Sequence, residues 1–140
     1  MVDKNKFSGK NCFLLAAVVY MFIVIAVKDF GAFQPIIRHS SWGPIYSWKV
    51  FIGLDNYLYS FRVYLLNFIM MLPLGILLYG YLRNALYVIL IAIIFSFGIE
   101  LMQPVLDVGV FDIVSVIHMI VGAAGGSIAF RIISKALNKF

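Results

Sequence analysis

The chain has 140 residues, 64% hydrophobic and only 12% charged, with a formal net charge of +5. Soluble domains carry roughly 25% charged residues, so an ordinary globular protein is excluded, and the length suits about four spanning helices of roughly 20 residues each. The basic residues stand mainly at segment ends with no compact basic stripe, so no nucleic acid is expected as a partner, and one cysteine, Cys12, gives neither an intramolecular disulfide nor a CxxC metal pair.

A basic, polar opening, MVDKNKFSGK, precedes an apolar run from Cys12 to Val27. A basic stretch before an apolar one also fits a secretory signal. Val27-Lys28-Asp29-Phe30 is a poor cleavage site, however, so an uncleaved first span is expected. The run gives about 24 Å of helix, short for a ~30 Å core. It extends to about 12–33 if Lys28 snorkels to the interface.

Residues 34–62 form the one long connection. Pro35, Gly43, Pro44, Gly53 and Asp55-Asn56 break regular structure there. Trp42, Tyr46, Trp48, Phe51, Tyr57, Tyr59 and Phe61 stand beside Arg38, Lys49 and Arg62. That mixture suits a segment at the headgroup level. It reads as an interfacial plug, with a binding lid as the alternative.

The second span covers about 63–82, with Asn67 near its start, Pro73 in its middle and Gly75 just beyond. Pro73 predicts a kink near mid-bilayer, tolerated because neighbouring groups re-satisfy the freed carbonyl. Arg83-Asn84 makes a very short turn. The third span covers about 85–103 and is stopped by Pro104. The fourth covers about 112–133. No internal repeat or linker is present, so 1–140 reads as a single transmembrane domain.

Four spans put both termini on one side, with Lys4, Lys6, Lys10, Arg83, Arg131, Lys135 and Lys139. The positive-inside rule makes that side cytoplasmic. The aromatic connection and the acidic turn at 105–112 then face outward. Asn67, Glu100, Gln103 and Asp112 come to similar depths near the outer face, with His118 about 9 Å deeper along the fourth span. Asp112 is placed to cap the fourth span, where a carboxylate also suits the helix dipole.

An acid within a spanning segment is costly and is often functional. Two readings of Glu100 follow. In one, Glu100 and Asp112 accept and Asn67 and Gln103 both donate and accept, lining an outward pocket for a headgroup or a lipid-linked precursor. In the other, the same groups form an interhelical clamp. A basic partner such as Arg62 would suit Glu100. His118 reads as a satisfied core histidine and, with no HExxH-like spacing, no metal or other cofactor is expected. Asp112, Ser115 and His118 recur along one helix face, a row that would serve an intramembrane enzyme only if the groups converged on one atom. Gly122 and Gly126 give a GxxxG spacing for packing against the second or third span, or for dimerisation. Tyr79, Tyr81 and Tyr87 mark an aromatic belt at the cytoplasmic turn.

Three patches resemble the VanZ-like family of small bacterial membrane proteins. Asn67 to Gly75 is similar to its N-x5-P-x-G segment, and Ile99-Glu100-Leu101-Met102-Gln103 to its I-E-L-x-Q segment. Gly109 to Ile113, followed by Gly122-Ala123 and Gly126, is similar to its G-R-x-x-D-x-x-D segment and the N-x-x-G-A-x-x-G beyond it. Val110 stands where the family has Arg, Val114 and Ser115 where it has further acids, and Met119 where it has Asn. The family takes its name from a protein linked to low-level glycopeptide (teicoplanin) resistance. The resemblance implies a role in the bacterial cell envelope.

The expectation is therefore an all-α polytopic membrane protein with four transmembrane helices and a long aromatic outer loop after the first. The leading function is a non-enzymatic envelope factor that binds or shields a lipid-linked precursor or a glycopeptide. The alternatives are an accessory subunit of a larger transporter or envelope enzyme, and an intramembrane hydrolase or transferase. Membrane lipids are partners in every case.

Overall fold

The apolar runs dictate the fold, because a backbone in hydrocarbon must satisfy its own polar groups and a helix does so internally. In a computed structural model, residues 4–30, 57–106 and 111–137 are described. They form four α-helices: α1 (Lys4–Phe30), α2 (Tyr57–Leu82), α3 (Ala85–Val105) and α4 (Ile113–Leu137). All four are long and apolar enough to cross a membrane, so the chain is a multi-pass membrane protein. The long aromatic connection, expected to face outward, lies outside the described residues as far as 56, as do Asp107 and Gly109.

The helices overrun the expected spans in four places, one of them the end of α4, which runs on to Leu137 beyond the expected 133. α1 starts at Lys4 rather than near Cys12, because a basic first turn can stay helical in the headgroup layer while the apolar part crosses. α2 begins at Tyr57, so Tyr57 to Arg62 are helical rather than part of the connection. α3 carries Pro104 inside its last turn and ends after Val105, where the Leu106 N–H closes onto the Met102 carbonyl at 2.9 Å. A proline this close to a helix end withdraws few helical bonds, so it does not stop the helix where expected.

α2 runs unbroken through Pro73. Proline there leaves the Ile69 carbonyl without its helical donor. The Tyr20 hydroxyl of α1 donates to the adjacent Met70 carbonyl at 2.8 Å, a neighbouring group serving the same stretch.

α4 buries the largest share of its span and α1 the smallest. The core is built by Met71, Leu74 and Leu78 of α2, Val88 and Ala92 of α3, and Met119 and Ala123 of α4, with Ala17 from α1. The α2–α4 seam is set by glycines. A Cβ added at Gly75 would overlap the Ala123 carbonyl, one at Gly122 the Phe68 carbonyl, and one at Gly126 the Leu72 carbonyl. The two backbones touch directly, and the GxxxG spacing is used within the chain.

α2 and α3 are joined by two residues. Arg83 takes a left-handed conformation (φ 56°) and its N–H caps the Tyr79 carbonyl at 2.9 Å. Asn84 caps α3, accepting from the Leu86 N–H at 2.9 Å. This turn and the described ends of α1 and α4 share one end of the bundle, here the terminus end. The opposite, loop end holds Lys28 near the close of α1, Glu100 and Gln103 near the close of α3, and the start of α4.

Candidate functional site

Polar side chains from all four helices meet at the loop end. On α3, Val88, Ala92, Ser96, Ile99, Glu100, Gln103 and Pro104 are the buried residues at helical spacing, so Glu100 faces inward one turn from Ser96. A carboxylate there is tolerable only if both oxygens find donors. Lys28 of α1 donates its ammonium to Oε1 at 2.5 Å, and the backbone N–H of Asp112 donates to Oε2 at 3.2 Å. The ion pair is inside the protein, with side chains 12% and 2% exposed for Lys28 and Glu100. The Met119 sulfur lies 3.9 Å from the Lys28 Nζ.

Asp112 caps α4 as its position predicted. Oδ1 accepts from the Val114 N–H and Oδ2 from the Ser115 hydroxyl, both at 2.9 Å. Ser115 has one proton, given to Asp112, so it can only accept from its other neighbour. That neighbour is Asn67 of α2, whose Nδ2 donates to Oγ at 2.9 Å. A single path of polar contacts thus runs Lys28, Glu100, Asp112, Ser115, Asn67, through α1, α3, α4 and α2 in turn.

Sequence reasoning grouped Asn67, Glu100, Gln103, Asp112 and His118. The structure links Asn67, Glu100 and Asp112. Gln103 is buried on the same α3 face but makes no hydrogen bond to a described residue. His118 stands apart: its ring stacks on Tyr64 with centroids 4.8 Å apart and 11° between planes, and Nδ1 bonds the Val114 carbonyl at 2.8 Å. Ser115 donates to Asp112 and Nδ1 of His118 bonds the Val114 carbonyl, so Ser115 and His118 are not hydrogen-bonded to one another.

Two participants were not anticipated in their roles. Lys28, expected to snorkel outward, turns inward to Glu100, whereas Arg62 is exposed. The signal available was depth: four spans bring Lys28 and Glu100 to the same end. Ser115, which the sequence offers only as a nucleophile, is the link between Asn67 and Asp112.

A protein-family model, described as VanZ/LLP1, matches residues 12–134. The chain belongs to the VanZ/LLP1 family. The match takes in every residue of the polar path and of the α2–α4 seam. No curated protein and no solved structure matches this VanZ/LLP1 chain. Met119, at a position where the resemblance expects Asn, supplies a thioether rather than an amide to the Lys28 ammonium.

Proposed function

We propose that this VanZ/LLP1 protein sits in the bacterial cytoplasmic membrane with both termini in the cytoplasm. At its outer, loop end it binds or shields a lipid-linked envelope precursor or a glycopeptide-type ligand. The observation that carries the reading is the convergence of polar groups from all four helices at the end opposite Arg83, Arg131 and Lys135. Hydrocarbon makes such groups expensive, and a membrane protein that gathers them at one end commonly uses them there.

The groups divide by spare hydrogen-bonding capacity. Asp112 and Ser115 are committed to one another and to neighbours, and they hold the junction in place. The Gln103 amide and the second nitrogen of His118 make no hydrogen bond to described residues, and they are the groups available to a hydroxylated or amide-bearing ligand. Glu100 orders the junction around them. Resistance to a glycopeptide would follow if the ligand is the antibiotic or the precursor it recognises.

The test is native mass spectrometry of the protein extracted gently from its own membrane. Wild type is compared with Gln103→Ala, Glu100→Gln and Asp112→Asn, with unfolding midpoints recorded alongside. A bound lipid-linked or glycopeptide species that Gln103→Ala loses at an unchanged midpoint supports the reading. A bare chain throughout, with only the stability changed in the Glu100 and Asp112 variants, would reduce the junction to a structural clamp. A stoichiometric protein partner in every sample would instead favour an accessory subunit.

A further inference from the structure

We propose that the terminus end carries a site for the phosphate of an anionic phospholipid, formed by Arg83 and Arg131 on the rings of Phe130 and Tyr79. This inference is independent of any ligand at the loop end.

Both arginines are exposed, yet both are positioned. Arg131 donates from Nε to the Tyr79 hydroxyl at 2.6 Å, and its Cζ lies 4.8 Å from the Tyr79 ring centre. The Arg83 Cζ lies 5.0 Å from the Phe130 ring centre. The two rings are themselves 5.8 Å apart, so the guanidiniums rest on adjoining aromatic faces. Phe130 is held in turn by Phe13 of α1, edge-on at 5.8 Å. Gly80 makes room for that phenyl ring, since a Cβ there would come 2.6 Å from it.

A guanidinium has five N–H donors in a planar fork matched to phosphate oxygens. The Tyr79 bond takes one of Arg131's, and ring contacts take none. Asp29, Glu100 and Asp112 all stand toward the opposite end in chain position, and among the described residues neither arginine has an ion pair. Two fixed cations with spare donors form an anion site.

The backbone at Arg83 adds a second observation. At φ 56° glycine is the residue without steric cost, and an L side chain there is strained. The turn itself does not need an arginine, so the side chain is the reason for one.

Leu86, Ile132 and Ile133, 62%, 63% and 54% exposed, lie on the helices flanking the pair. These are surfaces for acyl chains, which favours a phosphate attached to lipid over a free one. Basic pockets between helices at this kind of interface suit anionic headgroups.

The experiment compares retention of phosphatidylglycerol and phosphatidylcholine by the whole chain, in mixed micelles, read by native mass spectrometry. Wild type should favour phosphatidylglycerol, and each of Arg83→Gly and Arg131→Gln should lower that preference roughly fivefold. Arg83→Gly should unfold at the same or a higher midpoint, because glycine relieves the left-handed turn, so lost lipid cannot be blamed on lost fold. Lys135→Gln, on the same end, should leave the preference intact. An unchanged preference in the double arginine variant would overturn the site. So would an equal loss in Lys135→Gln, which would mean diffuse charge. Displacement of the lipid by millimolar glycerol phosphate would show a free-phosphate site and overturn the lipid assignment.

Discussion

At the loop end, Lys28, Glu100 and Asp112 are drawn between the helices and joined to Ser115 and Asn67. At the terminus end, Arg83 and Arg131 stay exposed on Phe130 and Tyr79. Both ends carry charge next to hydrocarbon and must handle the same desolvation cost. The loop end handles it by pairing inside, so each group depends on its partners. The terminus end avoids it by leaving the charge exposed, so each group is nearly independent. The difference divides the molecule into a part where polar side chains hold helices together and a part where they remain exposed.

The largest expected effect breaks the inner pair. Glu100→Ala leaves the Lys28 ammonium and the Asp112 N–H without their acceptor, and it should cost about 3–5 kcal/mol. Replacing both charges, as in Lys28→Met with Glu100→Met, should restore stability to within about 1–2 kcal/mol of wild type, because apolar pairs often match buried ion pairs. Unfolding in bicelles measures both. A single variant no less stable than the double would mean that the charges are not mutually dependent, and the contrast between the ends would collapse.

Next comes the seam that joins the ends. A side chain at Gly126 meets the Leu72 carbonyl and the Ile76 nitrogen, backbone atoms that cannot yield without moving a helix. Gly126→Val should cost about 1–3 kcal/mol. At Gly125 an added Cβ meets side chains alone, the Leu72 methyl at 3.3 Å and the Phe68 ring at 3.7 Å, and a side chain can turn aside. Gly125→Ala should therefore stay within about 0.5 kcal/mol, since alanine is also the better helix former. Equal losses at the two positions would show that crowding, and not backbone contact, governs the seam.

Much of this was legible in the sequence. Four apolar runs and two short turns set the helices and their up-down order. The acid in the third run, the cap at Asp112 and the Asn67 patch pointed to the same end of the bundle. Helix limits were less legible, because hydropathy marks the part of a helix in lipid, and α1 extends past it through Lys4 to Ser8. The pairing of Lys28 with Glu100 was hidden for a related reason. A lysine at a span end snorkels by default, and only the three-dimensional placement of a buried carboxylate beside it reverses that preference. Tyr79 read as one member of an aromatic belt, and nothing in its spacing announced Arg131, which lies on a different helix.

The smallest effects give the sharpest comparison, because the same atom can be removed at each end. Ser115→Ala deletes one hydroxyl at the loop end and leaves the buried Asn67 Nδ2 and the partly buried Asp112 Oδ2 without that partner. It should cost about 1–2 kcal/mol. Tyr79→Phe deletes one hydroxyl at the terminus end. The ring remains under the Arg131 guanidinium, and water or a lipid headgroup can accept from the freed Nε–H. That loss should be about 0–0.5 kcal/mol, since an exposed donor keeps its hydrogen bond with solvent. Measured in the same bicelles, a Tyr79→Phe cost as large as that of Ser115→Ala would place Arg131 inside the protein's own stability network. A clear gap leaves the arginine held in place without contributing to the fold, which is the condition a headgroup-binding residue requires.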